Sequence, residues 1–271
     1  LGVAVKKVKA GKASTYLNEQ LKVGDSLEVM TPMGNFYPSI SGNNSKIYYL
    51  FAGGSGITPM MSIMKSVLKS EPNSKVNLFY GNESNAAIIF AQHLKQLQNE
   101  FPESLQVYHI LNQPASDHHP DFKGIMDAAK NALLVEKFVD FRATNEFFIC
   151  GPGPMMDAVV QTLKSKEVAA AQIHVEYFVA PEVSAAPNVS DTAAAIETEA
   201  TIICDGDEIK LRISPEQSVL EAALAAGLDA PYACQGGSCC TCRALLVEGK
   251  VHMKVNYALL DSEVKEGFIL T

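Results

Sequence analysis

The chain of 271 residues is short of several things, and each shortage closes off a class of protein. No apolar run approaches the ~20 residues that a membrane helix requires. The opening residues do not read as a signal peptide, so a soluble, cytoplasmic protein is expected. The six cysteines are not dispersed as a secreted disulfide framework would have them. Positive charge is scarce, with 22 Lys+Arg against 30 Asp+Glu and a formal net charge of −8. The deficit is uneven: residues 196–271 hold six Lys+Arg and twelve Asp+Glu. An acidic segment disfavours nucleic acid and suits a basic docking face on a partner protein, although solubility explains individual carboxylates equally well. No internal repeat, Ser/His/Asp triad or paired-carboxylate site stands out. At 47% apolar, the chain can still bury two or three ordinary cores.

What is present is concentrated. Residues 231–243 carry four of the six cysteines, and Cys234, Cys239 and Cys242 keep the C-x4-C-x2-C spacing of plant-type [2Fe–2S] proteins. Thiolates are soft ligands suited to such clusters, and a glycine-rich loop can turn its N–H groups toward cluster sulfurs. The spacing supplies three ligands where a cluster takes four. A zinc knuckle or redox dithiol competes with this reading. Zinc sites, however, pair C-x2-C with a second such pair or with closely spaced histidines. Only His252 follows, reading as an ordinary strand residue, and Cys240 reads as a small packed thiol.

Upstream, residues 2–8 and 26–30 alternate like strands, with a short helix over residues 16–21 capped by Ser14 or Thr15. A hydroxyl-capped helix start is also an anion site. Residues 46–52 suit a buried parallel strand. They feed Gly53, Gly54, Gly56, Thr58 and Pro59, then a helix-period run from Met60 to Leu68. Strand, glycine turn and helix, with Pro59 near the first helical position, is the order a phosphate cradle needs. The bland alternative is a tight βα connection. A second such unit spans residues 75–81 and a helix from about Ala86 to Asn99. Its loop, Gly81, Asn82, Glu83 and Ser84, stands where open α/β sheets bind ligands. Residues 105–111 form a third strand, in which His109 reads as a satisfied strand residue. His118 and His119 lie in a polar loop without ligand spacing. A helix from Gly124 to about Val135, a strand over 146–150, a helix to about Lys166 and a strand over 172–178 complete an α/β unit. Residues 179–195, rich in Ala, Pro and Ser, read as a linker. A hairpin over 199–204 and 207–212 follows, then a capping box at Ser218 and Glu221 opening a helix that Gly227 ends.

Several stretches carry a family resemblance. Val219-Leu220-Glu221-Ala222-Ala223, Tyr232-Ala233-Cys234 and Cys239-x-Thr241-Cys242 resemble a plant-type ferredoxin domain. Val247-Glu248-Gly249-Lys250-Val251 and Asn256-Tyr257-Ala258-Leu259-Leu260 resemble that domain as fused to bacterial oxygenase reductases. Cys150-Gly151-Pro152-x-Pro154-Met155-Met156 and Glu176-Tyr177-Phe178 resemble the nicotinamide-side motif and terminal strand of the ferredoxin–NADP reductase superfamily. Residues 1–43 resemble the last part of its FAD barrel.

The resemblance implies a fold that is α/β and β. A partial antiparallel FAD barrel (1–43) precedes a Rossmann-like parallel-sheet NAD(P)-binding domain (44–180), a linker (181–195) and a β-grasp [2Fe–2S] ferredoxin domain (196–271). It implies flavin pyrophosphate at Gly11, Ser14 and Thr15. It places nucleotide at Gly53, Gly54, Gly56, Thr58, Pro59, Gly81, Asn82, Glu83, Ser84, Gly151, Pro152 and Met155. Cys150 and Glu176 fall at the hydride-transfer region with Phe178 facing the flavin, and Cys234, Cys239 and Cys242 fall on the cluster. Neither Cys204 nor Cys150 fits the fourth ligand, which the family pattern puts directly after Thr271. An Arg-x-Tyr-Ser flavin strand is expected ahead of residue 1, so a piece shortened at both ends is expected. Relatives often carry arginine where Glu83 stands. A carboxylate repels a 2′-phosphate and suits the free ribose hydroxyls of NADH.

Hydride arrives as an electron pair and iron–sulfur centres take single electrons, so flavin is the divider between them. The expected route is NAD(P)H to FAD to [2Fe–2S] to a partner oxygenase of the phenylacetyl-CoA epoxidase or ketosteroid hydroxylase type. A ferredoxin-type carrier with a regulatory nucleotide domain is the alternative, and a zinc-organised interaction protein is a third reading.

Overall fold

The computed structural model describes residues 2–29, 31–32, 34–178 and 197–271. Contacts divide the chain into two compact units, Leu1–Pro32 with Phe36–Glu176 and Met33–Asn35 with Tyr177–Thr271.

The first unit is built on a five-stranded parallel sheet. It comprises β1 (Ile47–Gly53), β2 (Lys75–Asn82), β3 (Leu105–Leu111), β4 (Glu146–Cys150) and β5 (Ile173–Glu176), in the order β3-β2-β1-β4-β5. An N-terminal helix, α1 (Lys12–Glu19), precedes it. Parallel strands need crossovers, which α2 (Ile57–Ser70), α3 (Ala91–Glu100), α4 (Ala128–Phe138) and α5 (Gly153–Ser165) supply. Both faces are therefore covered, and β1 is buried along nearly its whole length because each alternate side chain meets a helix layer. Tyr48, Leu50 and Ala52 join Met60, Met64, Val67, Leu94 and Leu97 in one core. On the opposite face, aromatic rings stack across strands: Tyr49 on Phe147 at 5.3 Å, Phe51 on Phe79 at 4.9 Å and Phe79 on Tyr108 at 5.0 Å.

Polar ties close the N-terminal edge of this sheet. The buried Glu71 carboxylate accepts from the hydroxyls of Tyr48 (3.0 Å) and Ser74 (2.8 Å), the Asn44 amide (2.6 Å) and the Ser41 N–H (3.1 Å). That full set of donors is what a buried charge requires. Glu146 bonds Lys46 and His174, each at 2.8 Å, and the His174 ring stacks on Phe148 at 4.4 Å. His174 thus has a structural role that its outward alternation in the sequence does not reveal.

The N-terminal segment departs from expectation. Helix α1 starts a turn earlier, with Gly11 as N-cap. The Ser14 hydroxyl accepts from the Val8 N–H at 3.2 Å, so it fastens the preceding turn and does not cap. Residues 2–8 and 26–29 form no ladder among the described residues, since a strand needs a hydrogen-bonded neighbour. Four further boundaries shift. Pro59 is the third helical residue of α2, where its missing N–H is still among those without an intrahelical partner. The helix expected from Ala86 starts at Ala91 after a 3-10 turn at Asn85–Ala87, and that expected from Gly124 starts at Ala128, where the Asp127 carboxylate caps the Lys130 N–H. The last strand stops at Glu176, leaving Tyr177 and Phe178 outside it.

The second unit has a hairpin of β6 (Thr198–Cys204) and β7 (Asp207–Ile213), turning at Asp205 and Gly206 with φ of 50° and 92°. Two left-handed residues are the signature of a turn whose twist matches the strands. Helix α6 (Val219–Ala225) opens with the expected reciprocal cap: Ser218 N–H donates to Glu221 at 2.7 Å and Glu221 N–H to Ser218 at 3.1 Å. Strands β8 (Arg243–Leu245) and β9 (Phe268–Leu270) pair antiparallel, with α7 (Asp261–Lys265) just before β9. Leu220, Cys242, Leu259 and Leu270 form the buried core of this unit. The two antiparallel pairs remain separate ladders among the described residues, and His252 lies outside both. The linker expected at 181–195 falls outside the described residues.

Gly56 makes the sharpest steric demand, because a Cβ there would overlap the carbonyl of Cys150. Gly56→Ala is expected to cost about 3 kcal/mol by overpacking against rigid backbone. Gly153→Ala, where a Cβ meets nothing within 4 Å, is expected to be near neutral. Denaturant unfolding of the two variants checks this, and equal stability would contradict the packing described.

Candidate functional site

In a 3-2-1-4-5 sheet the chain reverses its direction of winding between β1 and β4, and ligands bind at the C-terminal strand ends beside that reversal. The two loops that leave those ends interlock. A Cβ at Gly53 would lie 2.5 Å from Pro152 Cδ and 2.9 Å from Met155 Sδ, and one at Gly151 would lie 2.8 Å from Met155 Cε. Gly53, Gly56 and Gly151 are therefore small because the loops touch each other. Gly54 is different: its φ of 51° favours glycine, and the space around it is open. Its carbonyl accepts from the Tyr80 hydroxyl at 3.0 Å, and burial pushes the Tyr80 phenol up to about 12, so that hydroxyl stays a donor.

The helix that follows has no side-chain cap and no acidic residue in its first turn, which includes Thr58 and Pro59. Its leading amides and dipole can take an anion. Helix α5, entered through Pro152, is likewise uncapped. The nucleotide pyrophosphate fits this uncapped end beside the open Gly54.

Across the β4–β5 ladder Cys150 pairs with Glu176. Burial, and secondarily the Glu176 charge, pushes the Cys150 thiol up to about 12. Burial likewise raises the Glu176 carboxyl above the usual range. Cys150 is therefore a neutral, wholly buried thiol, a slim soft surface and not a thiolate nucleophile. Phe178 is 49% exposed.

At the end of β2, Gly81 is confined by Met126, whose Sδ would meet a Cβ at 2.8 Å. Asn82 Nδ2 is buried without a hydrogen bond of normal geometry. Glu83 is exposed, and the side-chain amides of Asn112 and Gln113 both donate to its carboxylate. Ser84 stands directly before the short turn at Asn85–Ala87 and makes no side-chain cap bond to it. Asn112 and Gln113 carry no motif signal; their position directly after the third strand is the sequence feature that could have marked them. His118 Nε2 bonds the His109 carbonyl at 2.8 Å and His119 Nδ1 accepts from the Asp121 N–H at 3.2 Å. Burial, with the nearby His118, lowers the His109 pKa and keeps that ring neutral.

Near the N-terminus, Gly11 packs tightly on Ser14 and Val8, and the start of α1 has neither side-chain cap nor acidic first turn. Ser14 and Thr15 are the third and fourth helical residues there. This end fits a flavin pyrophosphate by the same amide argument.

In the second unit Cys234 Sγ accepts from the N–H groups of Gly236 (3.4 Å) and Ser238 (3.3 Å). Left-handed Gln235 and Gly237 make that curl, with φ of 50° and 71°, and a Cβ on Gly237 would strike Val255. Cys239 lies beside Thr241 at 3.3 Å. Burial works against its thiolate, yet bonds from Thr241 and Cys234 outweigh it and hold the Cys239 thiol below its ordinary value. Cys242 is buried in the small core, and Cys240 packs beside it with its thiol 3.6 Å from the Ala258 carbonyl.

No three side chains of His, Cys, Asp or Glu converge on a single-ion site among the described residues. Cys234, Cys239 and Cys242 are soft thiolate donors in the C-x4-C-x2-C spacing, the donor chemistry that would suit a [2Fe–2S] cluster. Thr271 donates through N–H (3.3 Å) and hydroxyl (3.1 Å) to the Cys242 carbonyl.

The comparisons agree with both ends of this chemistry. Residues 50–161 match the oxidoreductase NAD-binding domain family, and residues 202–271 match the 2Fe-2S iron-sulfur cluster binding domain. These define an NAD(P)H-dependent flavin and iron–sulfur oxidoreductase. Over 274 residues the chain is 36% identical to a polypeptide of the 1,2-phenylacetyl-CoA epoxidase from Escherichia coli, covering 100% of this chain and 76% of that one. It is also 36% identical to the ferredoxin reductase component of 3-ketosteroid-9-alpha-monooxygenase from Mycobacterium tuberculosis, over 100% of this chain and 72% of that one. It belongs to this family of oxygenase reductases in the ferredoxin–NADP reductase superfamily. An intact type IV self-sufficient cytochrome P450 monooxygenase shares the fold, with a TM-score of 0.68 at 22% identity, over 98% of this chain and 30% of that one. The CS-b5R domains of human Ncb5or align with a TM-score of 0.54 at 28% identity, over 63% of this chain and 47% of that one. No helix among the described residues is long and apolar enough to cross a membrane.

Burial and a raised pKa make Cys150 inert in the folded state. Iodoacetamide at mildly alkaline pH is expected to leave it unmodified until the chain is unfolded, as peptide mass mapping would record. Prompt native-state alkylation of Cys150 would contradict the placement.

Proposed function

We propose that this chain is a cytoplasmic reductase that moves electrons from NADH through FAD and a [2Fe–2S] cluster to a separate oxygenase. When bound, FAD takes a hydride and passes on single electrons, which a [2Fe–2S] cluster accepts one at a time. The chain's own residues supply binding and orientation. Residues 44–180 hold the nucleotide: Gly54 and the start of α2, with Thr58 and Pro59, take the pyrophosphate, and Glu83 takes the ribose hydroxyls. Gly151, Pro152 and Met155 keep the neighbouring strand end slim, and the neutral Cys150 offers a nicotinamide ring a surface without charge. Glu176 pairs with Cys150 across the two strands, and partial burial raises its carboxyl above the usual range. Residues 1–43 contribute Gly11, Ser14 and Thr15 to the flavin pyrophosphate. In residues 196–271, Cys234, Cys239 and Cys242 ligate the cluster, and the Gly236 and Ser238 amides offset thiolate charge at Cys234.

The observation that carries the reading is the cysteine loop. It curls two amides onto one cysteine sulfur and sets a second cysteine 3.3 Å from a threonine hydroxyl, on the same chain as an uncapped nucleotide cradle. The acidic residues of 196–271 suit a partner with a basic docking face. The two relatives are parts of an epoxidase and of a ketosteroid monooxygenase, and an oxygenase of that kind is the proposed acceptor.

The test is reconstitution of the chain with iron, sulfide and FAD. Absorption bands at about 420–460 nm are expected, as for sulfur-ligated iron and flavin. NADH should then reduce both ferricyanide and cytochrome c, and Cys239→Ser should lose the iron–sulfur absorption and cytochrome c reduction while ferricyanide reduction persists. A protein that stays colourless, or binds zinc in place of iron and sulfide, would overturn the reading.

A further inference from the structure

The Glu83 carboxylate is held with unusual completeness for an exposed side chain. Asn112 Nδ2 donates to Oε1 at 3.1 Å and to Oε2 at 3.0 Å, and Gln113 Nε2 donates to Oε1 at 2.6 Å. The backbone that presents these amides is not a free loop. The β2–β3 ladder ends at Asn82 and Leu111, and two further bonds continue it: Asn112 N–H to the Asn82 carbonyl at 3.1 Å and Gln113 N–H to the Glu83 carbonyl at 2.7 Å. No Lys or Arg makes an ion pair with Glu83 among the described residues, so its charge is met by neutral donors alone.

We infer that Asn112 and Gln113 are the positioning residues for nucleotide choice, and that Glu83 masks a latent 2′-phosphate site made of their amide groups. This rests on the proposal that the end of β2 receives the adenosine ribose. Two consequences follow from donor chemistry. With Glu83 present, the amides hold its carboxylate in one orientation, so the lone pairs they leave unused face a ribose hydroxyl, and a 2′-phosphate meets a fixed negative charge. With the carboxylate gone, the same N–H groups converge on the place it occupied, and phosphate oxygens accept from such donors well. A single side chain therefore decides whether the donors serve a protein anion or a ligand anion. The usual route to 2′-phosphate recognition, an arginine, is not required here.

The experiment is titration calorimetry of the full chain with NAD⁺ and with NADP⁺, on wild type, Glu83→Ala, Asn112→Ala/Gln113→Ala and the triple variant. Thermal melts confirm that all four fold. Wild type should prefer NAD⁺. Glu83→Ala should tighten NADP⁺ roughly tenfold or more, the size expected of regained hydrogen bonds to a charged group, and should weaken NAD⁺. The triple variant should lose most of that NADP⁺ gain. The amide double variant should weaken NAD⁺ without gaining NADP⁺, because its carboxylate is still present but no longer held. Equal NADP⁺ affinity in Glu83→Ala and the triple variant would overturn the inference, showing that repulsion alone sets the choice. No change in either nucleotide on Glu83→Ala would overturn it differently, by removing Glu83 from the ribose site while leaving the pyrophosphate cradle untouched.

Discussion

The nucleotide end of this protein depends on how closely two glycine-bearing loops approach each other. Gly56 lies against the Cys150 carbonyl, and Gly53 and Gly151 lie against Pro152 and Met155. That contact joins β1 to β4 at the reversal of the sheet, brings the uncapped starts of α2 and α5 to the same edge and buries Cys150 between them. Any side chain larger than hydrogen at Gly56 would force the loops apart, since backbone cannot yield as a flexible side chain can. Under the proposed function, the slimness that would suit a stacked nicotinamide is the same slimness that lets the loops touch.

The second unit solves a different problem. Among the described residues Leu220, Cys242, Leu259 and Leu270 form its buried cluster, and its two strand pairs are separate ladders. Small domains with little apolar core generally need cross-links or metals for stability. A cluster held by Cys234, Cys239 and Cys242 would join the loop to that core through Cys242, so cofactor binding and folding are linked in this unit. Tyr257, which packs against Tyr177, donates its N–H to the Gly237 carbonyl of the loop at 2.9 Å, and Arg243, just after Cys242, is stacked 3.6 Å over Phe268 and lies 3.4 Å from Glu263.

Legibility in the sequence follows the range of the forces involved. The strands of the parallel sheet, the Asp205-Gly206 turn and the Ser218–Glu221 cap are readable because burial and local hydrogen bonds write themselves into a few adjacent residues. The cysteine spacing is readable for the same reason. Residues 2–8 and 26–29 alternate like strands, but a strand exists only with a neighbour, and alternation carries no information about that. The start of α1 is misleading because Ser14 looks like a cap yet serves the Val8 turn. Asn112, Gln113 and Tyr80 give no local signal, since their roles arise from positions distant in the chain that only the parallel ladder brings together. The motif glycines read as making room for phosphate, whereas Gly53, Gly56 and Gly151 make room for the opposite loop and Gly54 faces open space.

The central claim is that electrons delivered as a pair at the nucleotide end leave singly through the cysteine loop. Electron paramagnetic resonance on the reconstituted chain after anaerobic addition of NADH tests it most directly. The account predicts the spectrum of a reduced [2Fe–2S] centre, produced by NADH and absent from Cys239→Ser. A cluster that dithionite reduces but NADH leaves silent would contradict it.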